Sequence, residues 1–204
     1  MGIYDRWLLP RLLDLSMRNK EATRYRQKIV PAARGEVLEI GVGSGLNLPF
    51  YGPEVTRLYA LDPSEALLAM VARKLAPGAV PVELLQRSAE EIPLAARTID
   101  TVVTTWALCT VPDATRALRE ARRVLKPGGT LLFVEHGLAP DPPVERWQRR
   151  LNPLWRRFSG GCNLDRRIDR LIRDSGFEIV VVENEYAKAP RPFAYMYFGR
   201  ACPA

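Results

Sequence analysis

The sequence lacks several features that would indicate a membrane-spanning, secreted or metal-binding protein. No apolar run approaches the roughly 18 residues of a membrane-spanning helix, and no signal peptide opens the chain. Its three cysteines, Cys109, Cys162 and Cys202, stand far apart and form no C-x-x-C pair, which argues against a disulfide framework and against a zinc site. These absences predict a cytoplasmic protein that holds no metal.

Composition bounds the domain count and the class of partner. The chain has 204 residues, of which 47% are hydrophobic and 26% charged, which predicts one soluble globular domain spanning residues 1–204. The net charge of +7 biases the surface toward anionic partners. We favour a generally basic soluble protein over one that binds nucleic acid, and we leave peripheral contact with an anionic membrane open.

One stretch is strongly patterned for ligand binding. The apolar run at 37–40 ends in Gly41, Gly43 and Gly45, and a second apolar run about 20 residues later ends in Asp62, as in nucleotide-binding β-α-β units. Glycines let a ligand approach the backbone closely, and a carboxylate at the end of the second strand accepts hydrogen bonds from ribose hydroxyls. The pattern therefore predicts a site for an adenosine-type ligand.

The spacing of the glycines indicates which ligand. A dinucleotide fingerprint would place its third glycine at position 46, which is Leu46. Instead, Glu39 stands two residues before Gly41, and a carboxylate there complements a cation better than a pyrophosphate. The pattern E-x-G-x-G-x-G followed by Asp62 resembles class I S-adenosylmethionine-dependent methyltransferases. The alternative is a glycine loop that merely turns the chain.

This resemblance implies S-adenosylmethionine as cofactor and assigns residues to it. In many class I methyltransferases an aspartate contacts the adenine amine, and Ser88 stands in that place here. The full predicted set for the cofactor is Glu39, Gly41, Gly43, Gly45, Asn47, Asp62, Pro63, Ser64, Ser88, Ala89, Glu90, Thr105, Trp106 and Ala107.

Hydrophobic periodicity predicts alternating strands and helices. Strands are expected near 36–40, 57–61, 80–85, 101–105, 130–134, 178–183 and 193–200. Helices are expected after the glycine loop, from Ser64 to Lys74, and from Asp113 to Lys126. Residues 1–30 predict a basic helical segment that is either a lid over the cofactor, which we favour, or a membrane-surface helix. Residues 138–164 predict a helical insertion over the acceptor site, broken at Pro153.

Further motifs give a closer resemblance. Leu108-Cys109-Thr110-Val111, Glu135-His136 and Gly161-Cys162-Asn163-Leu164 resemble the microsomal alkyl-thiol S-methyltransferases and bacterial relatives labelled phospholipid or quinone methyltransferases. The resemblance implies a Rossmann-like α/β fold with seven strands in the order 3-2-1-4-5-7-6, the last antiparallel, and helices on both faces. It implies a small, apolar acceptor such as a thiol. The membrane anchor of the microsomal enzymes is absent, so we expect a soluble or peripherally bound protein.

The catalytic residues are predicted from chemistry near the carboxyl end of the fifth strand. His136 is the single histidine and could take a proton from the acceptor, although it could equally shape the strand end. Asn163 could line the acceptor pocket, but we favour the alternative that it caps a helix. Two other functions stay open: a phospholipid or quinone methyltransferase at a membrane surface, and a non-catalytic nucleotide-binding Rossmann module. The predicted acceptor-lining residues are Tyr4, Leu108, Glu135, Cys162 and Asn163.

Overall fold

The computed structural model describes residues 9–76 and 80–204. The predicted acceptor residue Tyr4 lies outside the described residues. Within them, seven strands form a single sheet in the order β3-β2-β1-β4-β5-β7-β6. The strands are β1 Gly35–Ile40, β2 Val55–Leu61, β3 Val82–Leu85, β4 Ile99–Thr105, β5 Leu125–His136, β6 Phe177–Tyr186 and β7 Tyr195–Pro203. The helices are α1 Leu9–Met17, α2 Lys20–Ile29, α3 Glu65–Ala72, α4 Ala114–Val124, α5 Pro142–Phe158 and α6 Ile168–Asp174.

Strand direction confirms the predicted Rossmann-like fold. Strands β1 to β5 run parallel, whereas β7 is antiparallel to both β5 and β6. The central parallel strands bury apolar residues on both faces of the sheet because helices cover both faces. Helices α4 and α6 pack on the face that carries Leu38 and Phe133, whereas Tyr25 of α2 packs on the opposite face against Val134. The carboxyl ends of β1, β2, β4 and β5 therefore meet at one edge of the sheet.

Two predicted helices differ from the structure. No α-helix follows the glycine loop, where the chain forms only a 3-10 turn at Leu48–Phe50. Pro49 within that turn supplies no N–H for a longer helix. Helix α4 ends at Val124, before Lys126, and the chain is already extended at Leu125. The residue before Pro127 is sterically biased toward extended backbone, which favours an early strand.

Two predictions about the later helices, a break at Pro153 and a cap at Asn163, are wrong. Helix α5 runs through Pro153 without a break. Pro153 and Arg149, whose carbonyl loses its partner, are both exposed, so water can satisfy that carbonyl. Asn163 does not cap a helix, because α6 begins only at Ile168. The side-chain amide of Asn163 donates to the carbonyl of Cys109 instead. Across residues 9–76 and 80–204, no helix combines the length and apolar character that crossing a membrane requires.

Candidate active site

The glycine-rich turn after β1 needs its glycines for two different reasons. Gly41, Gly43 and Gly45 all adopt positive φ, at +68°, +55° and +77°. A Cβ on Gly41 would lie 2.5 Å from the Cβ of Ala107, so this glycine lets the loop after β4 pack against the turn. A Cβ on Gly43 would meet only the carbonyl oxygen of Gly41, at 3.9 Å. The surface at Gly43 is thus an open cradle that a ligand can fill.

Asp62 holds the turn from the end of β2. Its Oδ2 accepts a hydrogen bond from the backbone N–H of Gly43 at 3.0 Å, and its Oδ1 accepts one from Ser64 at 2.8 Å. Burial raises the pKa of Asp62, while these two backbone hydrogen bonds act in the opposite direction. Ser64 in turn caps α3 by accepting from the N–H of Leu67. Asp62 therefore presents a carboxylate, with spare lone pairs, beside the cradle at Gly43.

A buried polar network surrounds Glu39. Its Oε1 accepts a hydrogen bond from the amide of Asn47 at 2.8 Å, and its Oε2 accepts one from the hydroxyl of Tyr51 at 2.7 Å. The same Asn47 amide donates to Thr105 at 3.0 Å, which joins the turn to β4. Burial raises the pKa of Glu39 to about 7. The network thus holds a carboxyl group at the end of β1 that titrates near neutrality.

The first two helices pack against this turn. Asp14 of α1 accepts a hydrogen bond from the hydroxyl of Ser44 at 2.5 Å, and Lys74 donates to the backbone carbonyl of Ser44 at 2.5 Å. Arg26 of α2 donates to Asn47 at 3.0 Å and to the carbonyl of Met17 at 2.9 Å. The predicted lid is therefore in contact with the site, although its role as a lid stays a prediction.

Glu135 anchors the loop that follows β4. Its Oε1 accepts hydrogen bonds from the hydroxyl of Thr104 at 2.7 Å and from the backbone N–H groups of Ala107 and Leu108 at 3.1 Å each. Burial raises its pKa to about 7. Trp106, in the same loop, adopts a positive φ of 52° that side chains rarely take. Glu135 therefore holds this loop, and its predicted place beside the acceptor stays a prediction.

The predicted adenine segment lies beside α4. The N–H of Glu90 donates to the hydroxyl of Ser88 at 3.2 Å, and Glu90 accepts from the N–H of Asp113 at 2.6 Å. Ala89 is buried, whereas Ser88 is half-buried and keeps a hydroxyl for further hydrogen bonds. Pro63, next to Asp62, is exposed. The contacts of these residues with adenine stay predictions.

The sulfur atoms of Cys109 and Cys162 and a ring nitrogen of His136 lie close together at the end of β5. His136 Nε2 lies 2.7 Å from the sulfur of Cys162, and Cys109 is close enough that all three ligand atoms lie within 4.8 Å of one another. The hydrogen bond from Cys109 and the neighbouring His136 lower the pKa of Cys162, while the bond to Cys162 raises the pKa of Cys109. Burial lowers the pKa of His136, but the bond to Cys162 together with the charges of Cys162 and Glu135 outweighs it, and the net shift is upward. Cys109 and Cys162, which stand far apart in the sequence, therefore lie together in the structure because two distant loops meet.

Those two loops are locked by side chains that the sequence did not single out correctly. Asn163 bonds to the carbonyl of Cys109 through both its backbone N–H and its side-chain amide, at 2.8 Å each. Arg166 donates to the carbonyls of Leu108, Val111 and Pro112. Sequence reasoning missed Arg166, Arg26, Asp14 and Tyr51. Only Tyr51 carried a usable signal, since it follows the glycine turn closely, whereas the others depend on long-range folding.

The residues present fit a cationic nucleoside ligand. The open cradle at Gly43 gives it room, Asp62 offers acceptors for ribose hydroxyls, and Glu39 offers a carboxyl for positive charge. Together with the strand order, this arrangement defines a class I methyltransferase.

Comparison with known proteins gives the family. Residues 38–133 match the model of a methyltransferase domain family. The chain is 34% identical to phosphatidylethanolamine N-methyltransferase of Cereibacter sphaeroides, covering 87% of this chain and 86% of that one. It is 32% identical to thiol S-methyltransferase TMT1B of Rattus norvegicus, covering 80% of this chain and 66% of that one. A chain of the Haloferax volcanii complex between the Trm112 activator and a methyltransferase superposes with a TM-score of 0.74 at 16% identity, covering 100% of this chain and 99% of that one. This chain belongs to the S-adenosylmethionine-dependent methyltransferases.

Proposed function

We propose that this chain binds S-adenosylmethionine at the glycine-rich turn and transfers its methyl group to a small thiol. The observation that carries the proposal is the pairing of Asp62 with the N–H of Gly43 beside an open cradle. The bound cofactor supplies a methyl group on a positively charged sulfur. Asp62 accepts hydrogen bonds from the ribose, and Glu39 faces the cationic end.

The protein's contribution to transfer is alignment, since positioning alone can supply about 7–11 kcal/mol of a barrier. Glu135 fixes the loop of Trp106 and Ala107, so the wall next to the glycine turn is rigid. His136 stays the predicted proton acceptor, and its Nδ1 is buried with no hydrogen-bond partner among the described residues. A thiol with a pKa near 8.5 is already partly ionised at neutral pH, so this site need supply only a modest base.

A thiol acceptor is favoured by similarity and by the site's chemistry. Thiol S-methyltransferases TMT1A and TMT1B are among the relatives at 30–32% identity. The end of β5 brings two cysteine thiols beside His136. The nearby carboxylate of Glu135 is buried and accepts three hydrogen bonds at Oε1, while its Oε2 has no partner among the described residues. A radiolabelled methyl-transfer screen across alkyl thiols, amines, quinones and phospholipids tests this. Label in the thiols supports the proposal, and label confined to another class contradicts it.

A second candidate function rests on the outer face of α5. Trp147, Leu154 and Phe158 are 56%, 61% and 62% exposed, and their spacing of seven and four residues places them on one side of the helix. The neighbouring Trp155 packs against Phe193, with the two ring centroids 4.5 Å apart. Exposed arginines of α5 flank this face, namely Arg146, Arg150, Arg156 and Arg157. Apolar side chains beside arginines suit an anionic lipid surface, where a phospholipid acceptor would lie.

Vesicle co-sedimentation separates the two candidates. A membrane-surface enzyme should bind phosphatidylglycerol vesicles, and Trp147→Ser with Leu154→Ser should reduce that binding. Val180→Ser is a matched control because Val180 is 48% exposed on β6, away from α5. If the parent protein binds neither anionic nor neutral vesicles, the membrane-surface function is excluded and the thiol proposal is unaffected.

A further inference from the structure

We propose that Cys109, His136 and Cys162 form a zinc site with three protein ligands and a fourth position open to a thiol. Their sulfur and nitrogen atoms all lie within 4.8 Å of one another. Cys109 is 1% exposed, and His136 and Cys162 are 9% exposed each. The sulfur of Cys109 has two further polar contacts, both long: the carbonyl of Trp106 at 3.4 Å and the hydroxyl of Thr110 at 3.5 Å.

The donor set selects the metal. Two thiolates and one imidazole match the soft ligands that Zn²⁺ takes in proteins, whereas Mg²⁺ and Ca²⁺ require oxygen ligands. Two thiolates also neutralise the charge of a divalent ion, which permits its burial. Sites with three protein ligands leave the fourth tetrahedral position to water or substrate.

Zinc binding requires small adjustments of the ligand atoms, since those within 4.8 Å of one another must move to tetrahedral separations. With Zn–S near 2.3 Å and Zn–N near 2.0 Å, a tetrahedral site separates sulfur from nitrogen by about 3.5 Å. His136 Nε2 and the sulfur of Cys162 are 2.7 Å apart, so this pair must open by less than about 1 Å.

Hydrogen bonds hold the loops that carry the two cysteine ligands in place. Asn163 ties the backbone next to Cys162 to the carbonyl of Cys109 with two bonds of 2.8 Å. Arg166 holds the carbonyls on either side of Cys109, at Leu108 and Val111. Residues that hold metal ligands in position in this way typically matter for binding: their mutation lowers metal affinity roughly 10–100-fold. The two loops therefore bring their thiols together before any metal arrives.

The open position deepens the proposed function and rests on it. A thiol that takes this position gives its proton to solvent and binds as a thiolate, because coordination to the metal deprotonates it. The sulfur lone pair then forms the new bond to the methyl carbon as the bond from that carbon to the donor sulfur breaks. In the zinc-loaded protein, His136 is a metal ligand and no longer the proton acceptor. Coordination to zinc deprotonates the acceptor thiol instead.

Metal binding is measured without any methyl donor, so it fails or succeeds independently of the proposed function. Reduced full-length protein freed of metal is titrated with Zn²⁺, and separately with Co²⁺, whose thiolate charge-transfer absorption reports cysteine ligands. We expect one equivalent to bind. Cys109→Ser and Cys162→Ser should each weaken binding by more than about 100-fold, beyond the effect of an outer-shell partner. Adding a small alkyl thiol to the Co²⁺ form should change its spectrum.

Cys202→Ser is the matched control, because Cys202 lies on β7 and is not part of the cluster. Its metal affinity should equal that of the parent protein. Circular dichroism verifies that each variant is folded, and the titration of the parent protein decides the matter if a variant is not. Folded parent protein that binds no Zn²⁺, or binds it equally after Cys162→Ser, overturns the site. A disulfide between Cys109 and Cys162 that persists with Zn²⁺ under mild reduction also overturns it, and an unchanged Co²⁺ spectrum with thiol overturns the open position.

Discussion

The backbone N–H of Gly43 donates a 3.0 Å hydrogen bond to the carboxylate of Asp62, which joins the turn after β1 to the end of β2. This bond fixes the open face of Gly43 relative to a buried carboxylate. A nucleoside that fills the cradle therefore places its ribose against Asp62.

Asp62→Ala should weaken binding of S-adenosylmethionine by about 10- to 100-fold, since hydrogen bonds to a charged group contribute roughly 1.5–3 kcal/mol. Isothermal calorimetry measures the affinity. Asp100→Ala is the control, because Asp100 pairs with Lys126 at the amino end of β4 and should leave the affinity unchanged. Equal affinities for Asp62→Ala and the parent protein would show that the ribose lies elsewhere.

Gly41→Ala and Gly43→Ala should fail in different ways. Both place a Cβ at positive φ, which costs about 1–2 kcal/mol. Only Gly41→Ala also drives its methyl group to 2.5 Å from the Cβ of Ala107, so it should lower the free energy of unfolding further in urea denaturation. Gly43→Ala should remain folded and lose donor affinity because its methyl group occupies the cradle. Wild-type donor affinity for Gly43→Ala would contradict an open binding face there.

Glu39 should make stability depend on pH in a defined direction. Burial raises its folded-state pKa from 4.5 to about 7, so folding favours the protonated form. The penalty for the charged form is absent below pH 4.5, grows up to about pH 7 and is constant above it, reaching on the order of 3 kcal/mol. The unfolding free energy of the parent protein should therefore fall relative to Glu39→Gln as pH rises from 4.5 to 7. Parallel pH curves for the two proteins would refute this account of Glu39.

Asp14→Ala should increase the rate at which S-adenosylmethionine enters its site. The variant removes the acceptor for the hydroxyl of Ser44 and the ion pair to Lys74, both of which hold α1 against the turn. Losing about 1 kcal/mol of contact should raise the association rate about fivefold in stopped-flow mixing followed by tryptophan fluorescence. Glu21→Ala, which breaks only the pair with Arg24 on α2, serves as the control. Identical association rates would mean that α1 does not cover the route of entry.

The sequence predicted those features of the site that depend on residues close together in the chain. The glycine turn, Glu39 and Asp62 follow from strand ends and fixed spacing, and the structure brings them together at one edge. Strand order followed from a family resemblance carried by such motifs, and it is confirmed. Helix breaks were predicted less well, because Pro153 is tolerated where its freed carbonyl faces water.

Long-range contacts were beyond these signals. Cys109 and Cys162 lie in different loops, and no spacing rule brings them to His136. Asn163 has a good capping side chain, but the carbonyl of Cys109 competes for its amide and keeps it out of α6. Arg166 is one of many arginines in the sequence, and only the fold directs it to the carbonyls of the loop after β4.

A crystal structure with S-adenosylhomocysteine, the product left after methyl transfer, tests the central claim most directly. The account predicts density across the face of Gly43, with the ribose hydroxyls bonded to Asp62 and the amino acid end toward Glu39. A ligand bound elsewhere on a folded chain, or a ribose that leaves Asp62 paired only with Gly43 and Ser64, would contradict it.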